Sequence, residues 1–324
     1  MTFENVAELR EAGGIKPVDD SAEDDFYFCC ASYEDRTMSA TLSLSSAYRT
    51  RNAFVYVNEE FLKYGPSAAR TTRAVEGLSN ALSEKSGSVA VLHGSWLVPA
   101  VQVREFRRAL SSRTDRGAVL KITIDATTFN REALIVCAAM LRRHFPQCRI
   151  RAVYVAPQEH GPWLSRGFRV VRNVVGFSGI HQSNQGTVVV VLSGFEGDRT
   201  IKTIEEHEPV RVYLGFGDPP TTPSFLERNV TEHKLVLDRT DVEEFRFPAT
   251  TVEGCSAVLS RLIAPLVADR NVVVAPMSTK LSTLAAFTVA ERYPEVQLSY
   301  CVPGEYNCRE YSSGSSRVFI EEVL

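Results

Sequence analysis

Asn271-Val272-Val273-Val274-Ala275, then Pro276-Met277-Ser278-Thr279-Lys280, then Leu281 to Arg292, reads as strand, tight loop and helix in immediate succession. An unbroken apolar run bounded by a loop fits a strand covered on both faces, as parallel sheets require. The stretch after it reads as an apolar, Ala/Leu-rich helix. Working outward, 296–302 gives a further strand. Strands are expected over 187–192, 210–214 and 234–237, with helices near Ile201 and over 225–229 and 252–268. The same alternation runs through the earlier part of the chain, with strands over 26–31, 52–58, 89–92, 119–124 and 150–155. Helices fall over 68–83, where Ala74, Leu78 and Leu82 share a face, over 101–110 and over 130–145, and a turn is expected at Asp115-Arg116-Gly117. Alternating strands and helices predict an α/β fold of two tandem Rossmann-like halves, each a mostly parallel sheet with flanking helices.

Two strings recur in order and suggest internal duplication. Tyr33-Glu34-Asp35-Arg36-Thr37 matches Phe195-Glu196-Gly197-Asp198-Arg199-Thr200. Phe145-Pro146 and Tyr154-Val155-Ala156-Pro157-Gln158-Glu159-His160 match Tyr293-Pro294 and Tyr300-Cys301-Val302-Pro303-Gly304-Glu305-Tyr306. The offset is about 150 residues, the size of one domain. The expected division is an acidic, fraying lead-in over 1–25, a first half over 26–180 and a second over 181–324. The polar segment 165–186 contains the link, although 170–177 can also form a strand.

With 44% hydrophobic and 23% charged residues in 324, the chain has the balance of a globular protein with room for two cores. A formal charge of −3 gives no global reason to coat a nucleic-acid backbone. No apolar run is long enough to cross a bilayer and the N-terminus lacks a signal layout, so the expectation is a cytoplasmic protein with no membrane contact. The seven cysteines include no Cys-x-x-Cys pair and read as reduced, buried thiols. The histidines form no close pair, and there is no Gly-x-Ser-x-Gly elbow, so neither a zinc site nor triad chemistry is indicated.

Ligands of open parallel sheets sit outside the carboxyl ends of the strands, near helix N-termini. Four loops occupy that place: 32–37, 125–130, 193–200 and 276–280. In the last, Ser278, Thr279 and Lys280 bring hydroxyls and an ammonium to a positive helix end, a chemistry suited to phosphate, although Thr279 or Ser278 can equally cap the helix. The spacing is not that of a P-loop. In the first half Thr127, Thr128 and Arg131 are the counterparts, with Asp125 added. Glu34 and Glu196 can bind a ribose hydroxyl or a metal and Arg36 and Arg199 a phosphate, against the alternative that each Glu-Asp-Arg loop holds an internal salt bridge. The loop Gly215-Phe216-Gly217-Asp218-Pro219-Pro220-Thr221-Thr222 departs from the dinucleotide fingerprint, and no cofactor is expected.

The strand followed by Ser278-Thr279-Lys280 and an Ala/Leu-rich helix resembles the strand-loop-helix of CARF domains, Rossmann-like nucleotide sensors associated with CRISPR systems. Two such units in one chain are similar to the SAVED domain of bacterial anti-phage signalling. The family pattern often carries glycine before the Thr-Lys pair, where this chain has Met277-Ser278. The resemblance implies that a cyclic or linear oligonucleotide messenger binds in a cleft between the halves, with Thr279 and Lys280 on its phosphates, and that a separate protein effector responds.

Three function classes follow. The first is a nucleotide sensor or adaptor in anti-phage defence. The second is an enzyme, either a phosphodiesterase or a metal-dependent nuclease using Asp125, Glu34, Glu196 or Asp198. The third is a ligand-free protein-interaction scaffold. Whether the chain is a monomer or a homo-oligomer is not legible.

Overall fold

A computed structural model of the chain describes residues 1–63, 65–111, 119–222 and 224–323. The turn expected at Asp115-Arg116-Gly117, and Pro223, lie outside the described residues.

The chain begins with β1 (Thr2–Phe3), α1 (Val6–Glu11), β2 (Asp24–Ala31), β3 (Thr50–Asn58), α2 (Glu59–Lys63) and α3 (Ala68–Ser83). It continues through β4 (Val89–Gly94), α4 (Pro99–Ser111), β5 (Lys121–Asp125), α5 (Arg131–His144), β6 (Arg149–Val155) and β7 (Glu159–His160). Next come β8 (Ser165–Ser178), β9 (Thr187–Leu192), α6 (Gly197–His207), β10 (Arg211–Gly217), α7 (Phe225–Glu232), α8 (Lys234–Leu237) and β11 (Val242–Phe247). The rest is α9 (Val252–Ile263), β12 (Asn271–Pro276), α10 (Lys280–Arg292), β13 (Gln297–Tyr306), β14 (Ser312–Ser313) and β15 (Val318–Val323).

These elements build two compact units, one of Met1–Gly161 with Cys308–Leu324, the other of Pro162–Asn307. In the first unit a seven-stranded sheet has the order β1-β15-β6-β5-β2-β3-β4. In the second a six-stranded sheet has the order β11-β10-β9-β12-β13-β8. Both are Rossmann-like α/β sheets. Strands β4-β3-β2-β5-β6 are parallel, as are β11-β10-β9-β12-β13, so order and sense are the same in the two units. Each sheet adds one antiparallel strand beside the last, β15 on β6 and β8 on β13.

Burial accounts for the strand sequences. Val188 through Leu192 and Val272 through Ala275 are buried, because helices cover both faces of a parallel sheet. Helix α3 buries Thr71, Ala74, Leu78 and Leu82, the face its spacing foretells. Helix α10 is buried along Lys280 to Ala290, nearly all round.

Several sequence expectations change. Residues 1–25 are not a frayed lead-in: β1 pairs with β15, and Leu9, Ile15 and Val18 are buried. Asp24, counted in the acidic cluster, is inaccessible to solvent and accepts hydrogen bonds from Tyr48 Oη and Thr123 Oγ1, both at 2.6 Å. Segment 165–186 is not chiefly a link, since 165–178 forms the edge strand β8. The boundary accordingly moves from 180/181 to 161/162, and 308–324 rejoins the first unit. Lys234–Leu237 is a helical turn with Leu235 exposed and Val236 buried, and the strand it was expected to supply is β11. Helix α9 stops at Ile263, short of 268.

Candidate functional site

The strand order locates the site. Connections leave β2 and β5 toward opposite edges of the first sheet, as they leave β9 and β12 in the second, and such reversals open a crevice beyond the carboxyl ends. All four loops singled out in the sequence start at these two places.

In the first unit the Glu-Asp-Arg loop turns inward. Arg36 Nε and Nη2 donate to Glu34 Oε2 at 3.0 and 2.8 Å, and Nη1 donates to Val155 O at 2.6 Å. Ser312 Oγ donates to the same Glu34 oxygen at 2.8 Å, and the guanidinium lies 5.7 Å from the centre of the Tyr154 ring. The second unit repeats the arrangement. Arg199 Nη2 donates to Cys301 O, Nη1 donates to Ser165 Oγ at 3.3 Å, and the Tyr300 ring lies at 5.9 Å. Ser165 Oγ donates to Glu196 Oε1 at 2.8 Å. The two recurrent strings therefore touch one another within each unit, arginine of the first on tyrosine and carbonyl of the second. Glu34, Arg36, Glu196 and Arg199, expected to reach a ligand, bond inside the protein, where ion pairing offsets the cost of burying charge. One difference remains between the units. Glu196 Oε2 and Arg199 Nε have no partner, whereas the corresponding Glu34 and Arg36 atoms bond each other.

The remaining first-unit candidates are also engaged. Thr128 Oγ1 donates to Cys30 O at 2.5 Å, and Thr127 Oγ1 accepts from Val155 N at 3.1 Å. Asn130 caps α5 by accepting from Ala133 N at 2.7 Å, which puts Arg131 at the first helical position. Asp125 is buried and accepts from Thr127 N at 3.0 Å. Burial pushes its carboxyl up to about 6, against the opposing pull of the Thr127 bonds and Arg36.

In the second unit the loops after β9 and β12 meet backbone to backbone, for a side chain at Gly194 would collide with Met277 O. Thr279 caps α10: its Oγ1 accepts from Ser282 N at 3.2 Å and donates to Ala249 O at 3.2 Å. Lys280 follows at the first helical position, 8% exposed, and so matches Arg131 of the first unit. The loop after β10 joins the same edge, since Ala249 N donates to Pro219 O at 3.3 Å. Its glycines serve packing. A Cβ on Gly215 would strike the Phe245 ring, and one on Gly217 would lie 2.6 Å from Ala249 Cβ.

Three residues at this edge went unnoticed in the sequence as site candidates. Thr221 Oγ1, Thr222 Oγ1 and Asn229 Oδ1 are buried with no hydrogen-bond partner. Asn229 Nδ2 donates to Ser193 O at 2.9 Å, which fixes the amide with its oxygen turned away. The only signal available was the Thr-Thr pair ending a Gly- and Pro-rich loop. Beside α6 lies a crevice of about 460 Å³ lined in part by Ser165, Phe195, Glu196, Asp198 and Arg228, with the Arg228 guanidinium 4.2 Å from the centre of the Phe195 ring. Among the described residues no three His, Cys, Asp or Glu side chains cluster in a metal-binding arrangement, and no helix is long and apolar enough to cross a membrane.

No protein-family model matches the chain, and no curated protein matches it. Among solved structures it is similar to an N-terminal ketoreductase from a macrolactin assembly line. Identity is 10%, coverage is 92% of this chain and 72% of that one, and the TM-score is 0.24. At that score the likeness carries no argument about activity.

Proposed function

We propose that this chain is a binding module for a nucleotide-type ligand, held at the carboxyl edge of the second unit's sheet. The observation that carries the reading is Lys280, buried at the first position of α10 behind the Thr279 cap. The ammonium and the helix N-terminus are both positive, and an anion placed there is attracted by each. Hydroxyls and N–H groups at the same helix end are the usual complement of a phosphate. The resemblance to CARF and SAVED domains extends the proposal to a messenger sensor that acts through a separate effector in anti-phage defence.

The test is thermal unfolding of wild type and Lys280→Ala against mono-, di- and cyclic oligonucleotides. Ligand at about 100 times its dissociation constant adds roughly 2.7 kcal/mol. The expected result is a nucleotide-dependent rise in the wild-type midpoint that Lys280→Ala loses, each protein being compared with its own ligand-free midpoint. A wild type indifferent to every nucleotide sinks the reading and favours the scaffold.

A further inference from the structure

We infer that the loop after β10 supplies the other half of this ligand site, with Thr221 and Thr222 as hydrogen-bond donors and Asn229 as an acceptor. The inference rests on the reading of the second unit as a nucleotide-type binding module. Thr221 is 1% exposed, Thr222 4% and Asn229 0%, and each has a side-chain oxygen without a partner. A buried polar atom left unsatisfied costs stability, and native proteins rarely tolerate several close together in the chain unless something else bonds them. These three lie within nine residues of one another, on the loop and helix that follow a single strand. The same end of the sheet carries the capped, lysine-bearing start of α10, tied to the loop through Thr279 Oγ1 to Ala249 O and Ala249 N to Pro219 O.

The chemistry of the three atoms narrows the ligand. Each threonine hydroxyl has a proton to give and suits an anionic oxygen, as Lys280 does. Asn229 Oδ1 can only accept, because the amide nitrogen is committed to Ser193 O. A ligand satisfying all of them has phosphate oxygens at one end and a hydroxyl or amino hydrogen at the other. A nucleotide has both, whereas inorganic phosphate and a free nucleoside each have one. In the first unit β3 takes the place that β10 has in the second, and it runs directly into α2 with no threonine at that end, so one ligand per chain is expected.

The experiment compares wild type with the isosteric double variant Thr221→Val/Thr222→Val, by thermal unfolding and by calorimetric titration with AMP, cyclic dinucleotides and a linear triadenylate, alongside adenosine and inorganic phosphate. Removing two unsatisfied hydroxyls at constant shape should raise the ligand-free midpoint, by about 2–4 °C. It should also weaken nucleotide binding at least about tenfold, which corresponds to losing roughly one good hydrogen bond to a charged group. Adenosine and phosphate should bind wild type more weakly than the nucleotide. A variant with a lower ligand-free midpoint and undiminished nucleotide affinity overturns the inference, because the hydroxyls then hold structural water. No binding to wild type overturns the nucleotide reading itself, a failure read on wild type alone, whereas the first is read on the variant.

Discussion

Asp125 sits where a carboxylate is least comfortable, buried at the end of β5, with its carboxyl raised to about 6 by that burial. An ordinary Asp in the unfolded chain titrates near 3.8. Well below pH 3.8 both states are protonated and the group contributes its full stability. As pH rises toward 6 the unfolded chain releases its proton first, and the native state loses up to about 3 kcal/mol relative to it. Asp125→Asn keeps an oxygen for Thr127 N and removes the titration. Urea unfolding from pH 4 to 7 should show the variant gaining on wild type across that window, whereas parallel stability curves would mean the carboxylate is solvated. Residue-scale legibility was uneven for a related reason. Arg36 and Arg199 were visible as recurrent strings, and the duller of the two sequence readings, an internal salt bridge, describes the Glu34–Arg36 pair. Thr221, Thr222 and Asn229 were not visible, because what distinguishes them is a missing partner, and a sequence does not record partners.

Elements were legible where burial is uniform and obscure where it is not. Central strands such as β9 and β12 read as apolar runs, α3 by its period, and α5 by its period and the closing Pro146. Edge strands follow another rule, since one margin faces solvent and charged side chains there discourage pairing with other chains. Hence Val242-Glu243-Glu244-Phe245-Arg246-Phe247 drew no strand assignment, and β8, with Arg166, Arg169 and Arg172, was read as containing the link, with a strand over 170–177 only as the alternative. The adjacent apolar Leu235-Val236-Leu237 drew the strand assignment instead, although it makes one helical turn. Cap residues were predictable in kind, and their worth can be measured. Asn130 satisfies Ala133 N and also donates to Asn58 Oδ1 at 3.2 Å. Asn130→Ala should therefore cost about 1–2 kcal/mol, at the upper range for a cap. An unchanged midpoint in chemical unfolding would show that water replaces the cap without loss.

At the scale of the whole molecule, chain order and unit membership part company. The antiparallel strand of the first sheet, β15, comes from the C-terminal segment that follows β13, the last strand of the second unit. The antiparallel strand of the second sheet, β8, follows β6, the last parallel strand of the first. Ser312, in β14 ahead of β15, and Ser165, the first residue of β8, bond the Glu34 and Glu196 carboxylates, so the Glu-Asp-Arg strings help hold each antiparallel strand on its own sheet. This explains why a sequence reading that cut the chain into consecutive halves found the fold class and misplaced the boundary. It also makes a prediction about cutting the chain. Deleting 308–324 removes the six pairs that β15 makes with β6 and buries nothing in place of Val318, Phe319 and Val323. At about 1.5–3 kcal/mol for each side chain, the loss is comparable to the whole stability of a domain, about 5–15 kcal/mol. Hydrogen exchange on the truncated protein should show β1 and β6 unprotected while β9, β12 and β13 keep their protection, since every strand of the second sheet is still present. Protection retained in β6 would mean that its edge finds another cover. Protection lost in both sheets alike would mean that the two units unfold as one.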